Sequence, residues 1–217
     1  MITVITVGSQ SVNLVSTPTS PAAPKSIQYR GSDAVASVVS PFTGQVQTQQ
    51  WPGADLWKWT VTMPPMTQAD ADQWISFLLE LRGMSNAFQL GDPLKQTPRG
   101  TPSGSPVVNN SVATNAAGSI TLGTSGWTPS TNNLLMIGDL IQVGYRLYKV
   151  IGSPVNSDAS GNATINIWPS LREVPTNAEV IVTSQTQGLF RLATNDRDWI
   201  TDETLTTQMS FPIQEYR

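Results

Sequence analysis

Residues 57–83 read WKWTVTMPPMTQADADQWISFLLELRG, and this stretch decides the fold class. In its first seven residues apolar and polar side chains alternate, which is the period of a half-buried strand. After two prolines, apolar residues recur at the spacing of an amphipathic helix, with Thr67 as a favourable N-cap and Gly83 as a C-terminal stop. The stretch therefore predicts a strand followed by one helix that packs on a sheet.

The helix pattern assigns places to individual side chains. Asp70 falls in the first turn, where a carboxylate complements the helix dipole, and Arg82 is expected in the last turn. Five apolar residues share one face and are expected to be core: Ala71, Trp74, Ile75, Leu78 and Leu79.

Elsewhere, short apolar runs bounded by glycine and proline predict strands. In the first half these are Ile2–Val7, Ile27–Tyr29, Val35–Val39, Gln45–Gln50 and Ala87–Leu90. Three prolines between Pro18 and Pro24 predict an extended linker or arm.

A second region begins after TPRGTPSGSP (97–106), where prolines and glycines mark a boundary. Short strands then follow at close spacing, and two strand-like segments near the end resemble the first region. We therefore expect a mainly β fold: a sandwich or barrel with one amphipathic helix, formed by residues 1–97 and 186–217. A small antiparallel β-barrel domain, residues 98–185, is inserted between them.

Composition excludes several classes of function. The net charge is -3 and no cluster of Lys or Arg longer than an isolated pair occurs, so we expect no sequence-specific binding to nucleic acid, which requires a basic patch. No apolar run approaches the ~18 residues of a membrane span, and the start reads as a strand rather than a signal peptide, so we expect synthesis in a cytoplasm and no membrane partner. Without Cys or His, thiolate metal sites and the commonest general base are absent.

Carboxylates offer the one candidate for metal chemistry. Asp196, Asp198 and Asp202 are spaced closely enough to gather around Ca²⁺, but the glycine and further oxygen donors of a calcium loop are missing. A solvated loop is the favoured interpretation, so we expect no cofactor. Because no nucleophile elbow or histidine occurs and no carboxylate pair stands out, we also expect no enzymatic activity.

Aromatic residues suggest two kinds of surface. In the second region Trp127, Tyr145, Tyr148 and Trp168 offer an aromatic platform for sugar rings, although strand aromatics are more often core. In the first region, three tryptophans and one methionine are expected to lie partly in the core and partly at a subunit interface: Trp51, Trp57, Trp59 and Met63.

The order of motifs along the chain is similar to that of a known group of proteins. An alternating Trp-rich strand precedes PPMTQADADQWISFLLELRG, AFQLGDP and TPRGTPSGSPVVN; MIGDLIQVGYRLYKVIG, NATINIWPSLRE, GLFRLATNDRDW and SFPIQEYR follow. This series, over residues 51–217, resembles distal tail and minor tail proteins of siphophages, and tail components of gene transfer agents.

The resemblance implies a structural virion protein without catalytic residues. It implies a homo-oligomeric ring, commonly a hexamer, that joins the tail tube protein to the hub or tip proteins at the distal end. Two alternatives remain open at this point: another minor tail protein, such as a tube terminator or a receptor-binding adaptor, and a carbohydrate-binding module for host attachment.

Overall fold

The computed structural model describes residues 2–20 and 23–217, and its regular structure is dominated by strands. Within these residues there is one α-helix, α1 (Gln68–Glu80), and a 3₁₀ turn at Pro93–Lys95. The mainly β class with one helix is therefore confirmed. The strands are β1 (Ile2–Val7), β2 (Gln10–Val15), β3 (Ser26–Ser32), β4 (Val35–Val39), β5 (Val46–Gln50), β6 (Leu56–Thr62), β7 (Phe88–Leu90), β8 (Gly104–Val108), β9 (Thr121–Trp127), β10 (Leu140–Val143), β11 (Arg146–Val150), β12 (Ala163–Trp168), β13 (Ile181–Val182), β14 (Gly188–Leu192), β15 (Trp199–Thr201) and β16 (Thr207–Glu215).

Contacts within the chain define two compact units. Unit 1 comprises Met1–Arg30, Trp57–Leu94 and Gln187–Arg217, and unit 2 comprises Gly31–Leu56 and Lys95–Thr186. Both chain ends thus lie in unit 1, whereas residues 31–56 group with unit 2. The domain limits expected from the sequence stay a prediction.

Unit 1 is built on an antiparallel sheet in the order β3-β6-β16-β14-β7, with β15 also paired to β16. Register places Ile213 opposite Trp59 and Leu192 opposite Ile213, so apolar side chains line one face. Helix α1 packs on this face, with Trp74 6.2 Å from Phe211 between ring centroids. The alternating strand of residues 57–63 therefore supplies the floor of the unit 1 core.

The buried face of α1 differs from the expected one. Its buried side chains are Ala71, Trp74, Phe77 and Leu78. Leu79 is 51% exposed, so its assignment to the core was wrong, and Ile75 is half-buried. Phe77 replaces them because its ring packs edge-on against Phe88 of β7, 5.2 Å away, which turns the helix face toward that strand.

The two ends of α1 also depart in detail from the prediction. Thr67 occupies the N-cap position, but its hydroxyl donates to the Asp70 carboxylate at 3.0 Å instead of accepting from a backbone N–H. The helix ends at Glu80 and Leu81 is its C-cap, so Arg82 lies beyond the last turn. Arg82 and Gly83 both have positive φ, and together they reverse the chain toward β7.

Unit 2 contains a six-stranded antiparallel sheet in the order β13-β10-β11-β12-β9-β8 that nearly closes into a barrel. Its two outer strands approach each other: Val107 forms a bridge with Val180, and the Val108 N–H donates to the Glu179 carbonyl at 2.8 Å. Aliphatic side chains fill the interior, among them Leu122, Ile141 and Ile165, all fully buried. This agrees with the expected small antiparallel barrel.

Two separate hairpins complete the chain. β1 pairs with β2 in unit 1, and β4 pairs with β5 in unit 2. β2 and the short β15 were not predicted from the sequence. Pro21 and Ala22, in the expected proline-rich arm, lie outside the described residues.

Candidate assembly surfaces

The β4–β5 hairpin is a two-stranded ribbon. Its register runs from Val35 opposite Gln50 to Val39 opposite Val46. A Trp51 N–H to Ala34 carbonyl bond of 3.0 Å adds one rung at the base. Among the described residues β4 and β5 pair only with each other, so each strand keeps one edge whose backbone N–H and C=O groups are open.

Every residue of both hairpin strands is exposed. The exposed side chains include large apolar ones: Val38 is 67% exposed and Phe42, in the connecting turn, 95%. Residues 34–50 contain no charged side chain, although charges are what monomeric proteins place on open edges to prevent pairing. An isolated two-stranded hairpin is at best marginally stable in water, so this ribbon gains from a partner.

Trp168 is half-buried and is held within unit 2 by two contacts. Its indole N–H donates to the Asp33 carboxylate at 2.9 Å. Gly31 lies so close to the ring that a Cβ there would be 2.7 Å from it. Trp168 thus fixes the chain just before β4.

Two of the other three aromatic residues suggested for sugar binding are core residues. Trp127 and Tyr148 are buried in unit 2, and the Trp127 indole N–H donates to the Thr124 hydroxyl at 2.8 Å. Tyr145, beside the β10–β11 turn, is half-buried. Trp127 and Tyr148 are therefore not accessible to a sugar ring.

Of the four residues suggested for a subunit interface, three are buried and one is exposed. Trp57, Trp59 and Met63 are buried in the unit 1 core, where the Trp59 ring lies 4.4 Å from Phe190 between centroids. Trp51 is 54% exposed at the base of the β4–β5 hairpin. Of the four, Trp51 alone is therefore accessible to another chain.

A groove of about 220 Å³, which we name the basic groove, crosses the unit 1 sheet. Its two charged side chains are Arg30 of β3 and Lys58 of β6, both exposed. Neither forms an ion pair with a described residue. The remaining lining is neutral and includes Gln28, Thr60, Ala193 and Pro212.

The three aspartates considered for a metal lie in a surface segment, residues 194–206, that we name the acidic loop. Asp202 organises its turn: one carboxylate oxygen accepts from the Thr204 and Thr206 N–H groups at 3.0 and 3.2 Å. Hydrogen bonds, first that from the Thr204 hydroxyl, lower the pKa of Asp202 below its ordinary value. Asp196 and Asp198 are exposed. Within the described residues no group of three or more acidic, His or Cys side chains is placed to hold a metal ion.

The buried carboxylates serve as hydrogen-bond acceptors for the chain itself. Asp139 accepts from three backbone N–H groups, and Glu215 from the Trp57 N–H at 3.3 Å. Asp55 accepts from the Ser170 N–H and hydroxyl at 2.9 and 2.7 Å. Burial alone would raise the pKa of Asp55, but these hydrogen bonds outweigh it and lower the pKa. Asp55 and Asp139 therefore hold loops in place, and Glu215 links β16 to β6.

Sequence reasoning missed the basic groove, since its two cations lie 28 positions apart and each is isolated in the sequence. They share a groove because β3 pairs with β6. The acidic residues of the acidic loop form a recognisable cluster in the sequence, but strand β15 within the loop was not predicted.

No helix within residues 2–20 and 23–217 has the length and apolar character needed to cross a membrane. No protein-family model matches the chain, and no curated protein matches it.

Proposed function

We propose that the chain is a structural component of a long-tailed bacteriophage tail. In this proposal it forms a homo-oligomeric ring, a hexamer by the resemblance of its motifs to distal tail proteins. The ring joins the distal end of the tail tube to the tip or hub, and the protein resides in the virion. Enzymatic activity has no part in the proposal.

The observation that carries the proposal is the β4–β5 hairpin. A charge-free ribbon with open edges and exposed valines is poorly suited to a protein that stays monomeric. Pairing with a neighbouring copy would satisfy the open backbone groups by strand addition and cover Val38, Phe42 and Trp51. A ring subunit needs such a contact at each junction with its neighbours.

The first alternative is a different minor tail protein, which would assemble through the same hairpin. The location of the chain in the particle distinguishes this alternative from a ring at the distal end of the tail. A carbohydrate-binding module has less support, because Trp127 and Tyr148 are buried and Trp168 is half-buried.

The first test is assembly of the purified chain, measured by light scattering and by electron images of the same sample. The wild type should form closed rings. Val38→Lys with Val46→Lys should remain monomeric, because two charges then oppose edge pairing. The matched control, Ile120→Lys with Val174→Lys, changes exposed apolar residues elsewhere in unit 2 and should assemble normally. A monomeric wild type, or rings from the hairpin variant, would contradict the proposal.

The second test concerns location. In particles from the phage or lysogen that carries the gene, gold-labelled antibodies against the chain should mark the far end of the tail. Label at the head-proximal end would favour a tube terminator instead, and label absent from tails would contradict the proposed function.

A further inference from the structure

We infer that the acidic loop of one copy docks in the basic groove of the next. This inference rests on the proposed ring and specifies one of its subunit contacts. The partner is a second copy of this chain, and the contact is heterologous, since different surfaces of the two copies meet.

The first support is charge. Arg30 and Lys58 face the groove without an ion-pair partner among the described residues. In the acidic loop, Asp198 and Glu203 are likewise exposed and form no ion pair with a described residue. Unpaired charges of opposite sign on two surfaces are what steer and orient a specific contact.

The second support is apolar surface on the same loop. Trp199, Ile200 and Leu205 are 40%, 70% and 79% exposed. The groove offers Ala193 and Pro212 as apolar contacts between its cations and its polar side chains. Exposed apolar residues ringed by charge are typical of a protein–protein contact.

The third support is the side of the sheet on which each surface lies. At Arg197 the acidic loop is attached to the helix side, since the Arg197 guanidinium donates to the Leu78 carbonyl of α1 at 3.0 Å. Lys58 alternates with the core residues Trp57 and Trp59, so it projects from the opposite face of the sheet. Arg197 and Lys58 thus lie on opposite sides of the sheet of one unit, and a neighbouring copy can present its loop to the groove. Repeating such a contact generates a ring where the rotation closes.

A third cation on the groove side, Arg191, is already engaged and is not part of the contact. Its guanidinium lies over the Tyr216 ring, 5.7 Å from the centroid. Register places Arg191 opposite Gln214, and Gln214 opposite Lys58, so the engaged and the free cation lie in one row across the sheet.

Charge reversal tests the contact. One variant carries Arg30→Glu and Lys58→Glu, which makes the groove acidic; the other carries Asp198→Lys and Glu203→Lys, which makes the loop basic. In each variant alone, like charges face each other at every junction. We expect the concentration for half-assembly to rise by at least about 100-fold, measured by light scattering. In the wild type, added salt should weaken assembly, since exposed charges are screened.

Mixing the two variants is the decisive step. Each groove then meets a loop of opposite charge if the copies alternate, so an equimolar mixture should assemble like the wild type. Native mass spectrometry should find equal numbers of the two variants in each ring. Controls of equal charge change are Lys25→Glu with Arg82→Glu, and Asp72→Lys with Glu80→Lys; these residues are exposed and lie outside the groove and the loop.

The outcomes separate the two proposals. Rings from the wild type and from each variant alone would overturn the groove–loop contact and leave the proposed ring standing. A variant that fails to assemble alone and is not restored by mixing would also overturn the contact. A wild type that never assembles would overturn the ring itself, together with this contact.

Discussion

Removal of the Asp139 carboxylate should destabilise unit 2 strongly. This side chain is 3% exposed; one of its oxygens accepts from the Arg99 N–H at 3.0 Å, and the other from the Gly100 and Met136 N–H groups at 3.1 and 2.8 Å. In Asp139→Ala the exposed Arg99 regains water, whereas the half-buried N–H groups of Gly100 and Met136 lose their acceptor. At ~1–3 kcal/mol for each, the free energy of unfolding falls by about 2–6 kcal/mol.

Asp139→Asn should have an intermediate effect. Its single oxygen can serve Gly100 and Met136, but its NH₂ group then faces the Arg99 N–H, at a cost of about 1–3 kcal/mol. Asp158 supplies a matched control, because its carboxylate accepts from the Ser160 and Asn162 N–H groups at 2.7 and 2.8 Å in an exposed turn of the same unit. Water replaces those bonds in Asp158→Ala, so little stability should be lost.

Urea unfolding followed by circular dichroism measures the difference. With a slope of ~2 kcal/mol per molar urea, Asp139→Ala should lower the midpoint by about 1–3 M, and Asp139→Asn by about half as much. Equal shifts for Asp139→Ala and Asp158→Ala would refute the reasoning, since burial of the acceptor would then make no difference.

Two further changes test unit 2. Asp55→Ala should lower the urea midpoint because Ser170 loses its acceptor. The pKa of Asp55 is lowered in the folded state, so the contribution of its carboxylate to stability is present above pH ~4 and is lost as pH falls through the folded pKa. The wild-type and variant midpoints, measured across pH, should therefore converge in acid. Gly100→Ala should destabilise unit 2 by roughly 1–3 kcal/mol, because the new Cβ would lie 2.7 Å from the Leu135 Cα. In the control Gly44→Ala nothing lies within 4 Å of the new Cβ, so only the strain of the positive φ should appear, roughly 1 kcal/mol. Equal urea midpoints for the two variants would contradict the steric argument.

The sequence predicts the helix and most strands of this chain, β2 and β15 excepted, because their periodicity is local. The sequence does not determine which face of α1 is buried. Between Trp74 and Leu81 six of eight residues are apolar, so two overlapping stripes fit the helical period equally. The contact of Phe77 with Phe88 chooses between them, and that contact depends on where β7 lies in the sheet.

The candidate surfaces are less predictable because they depend on exposure and on distant pairing. Trp57 and Trp51 lie six positions apart, yet one is core and the other is exposed at the base of a hairpin. Arg30 and Lys58 share a groove only through the pairing of β3 with β6. Strand β15 has three residues among acidic neighbours, so it shows no alternation and forms against the edge of β16.

Under the proposed assembly, different charged residues serve folding and association. Only 12% of its residues are charged, and several of the acids are buried acceptors such as Asp55 and Asp139. The β4–β5 hairpin carries none, although a single lysine would protect its edges at little cost to the barrel. Because Asp55 and Asp139 are buried acceptors whereas Arg30, Lys58, Asp198 and Glu203 are exposed, mutations of the two classes should have distinct effects. The first should change unfolding midpoints, and the second should change association while leaving those midpoints unaltered.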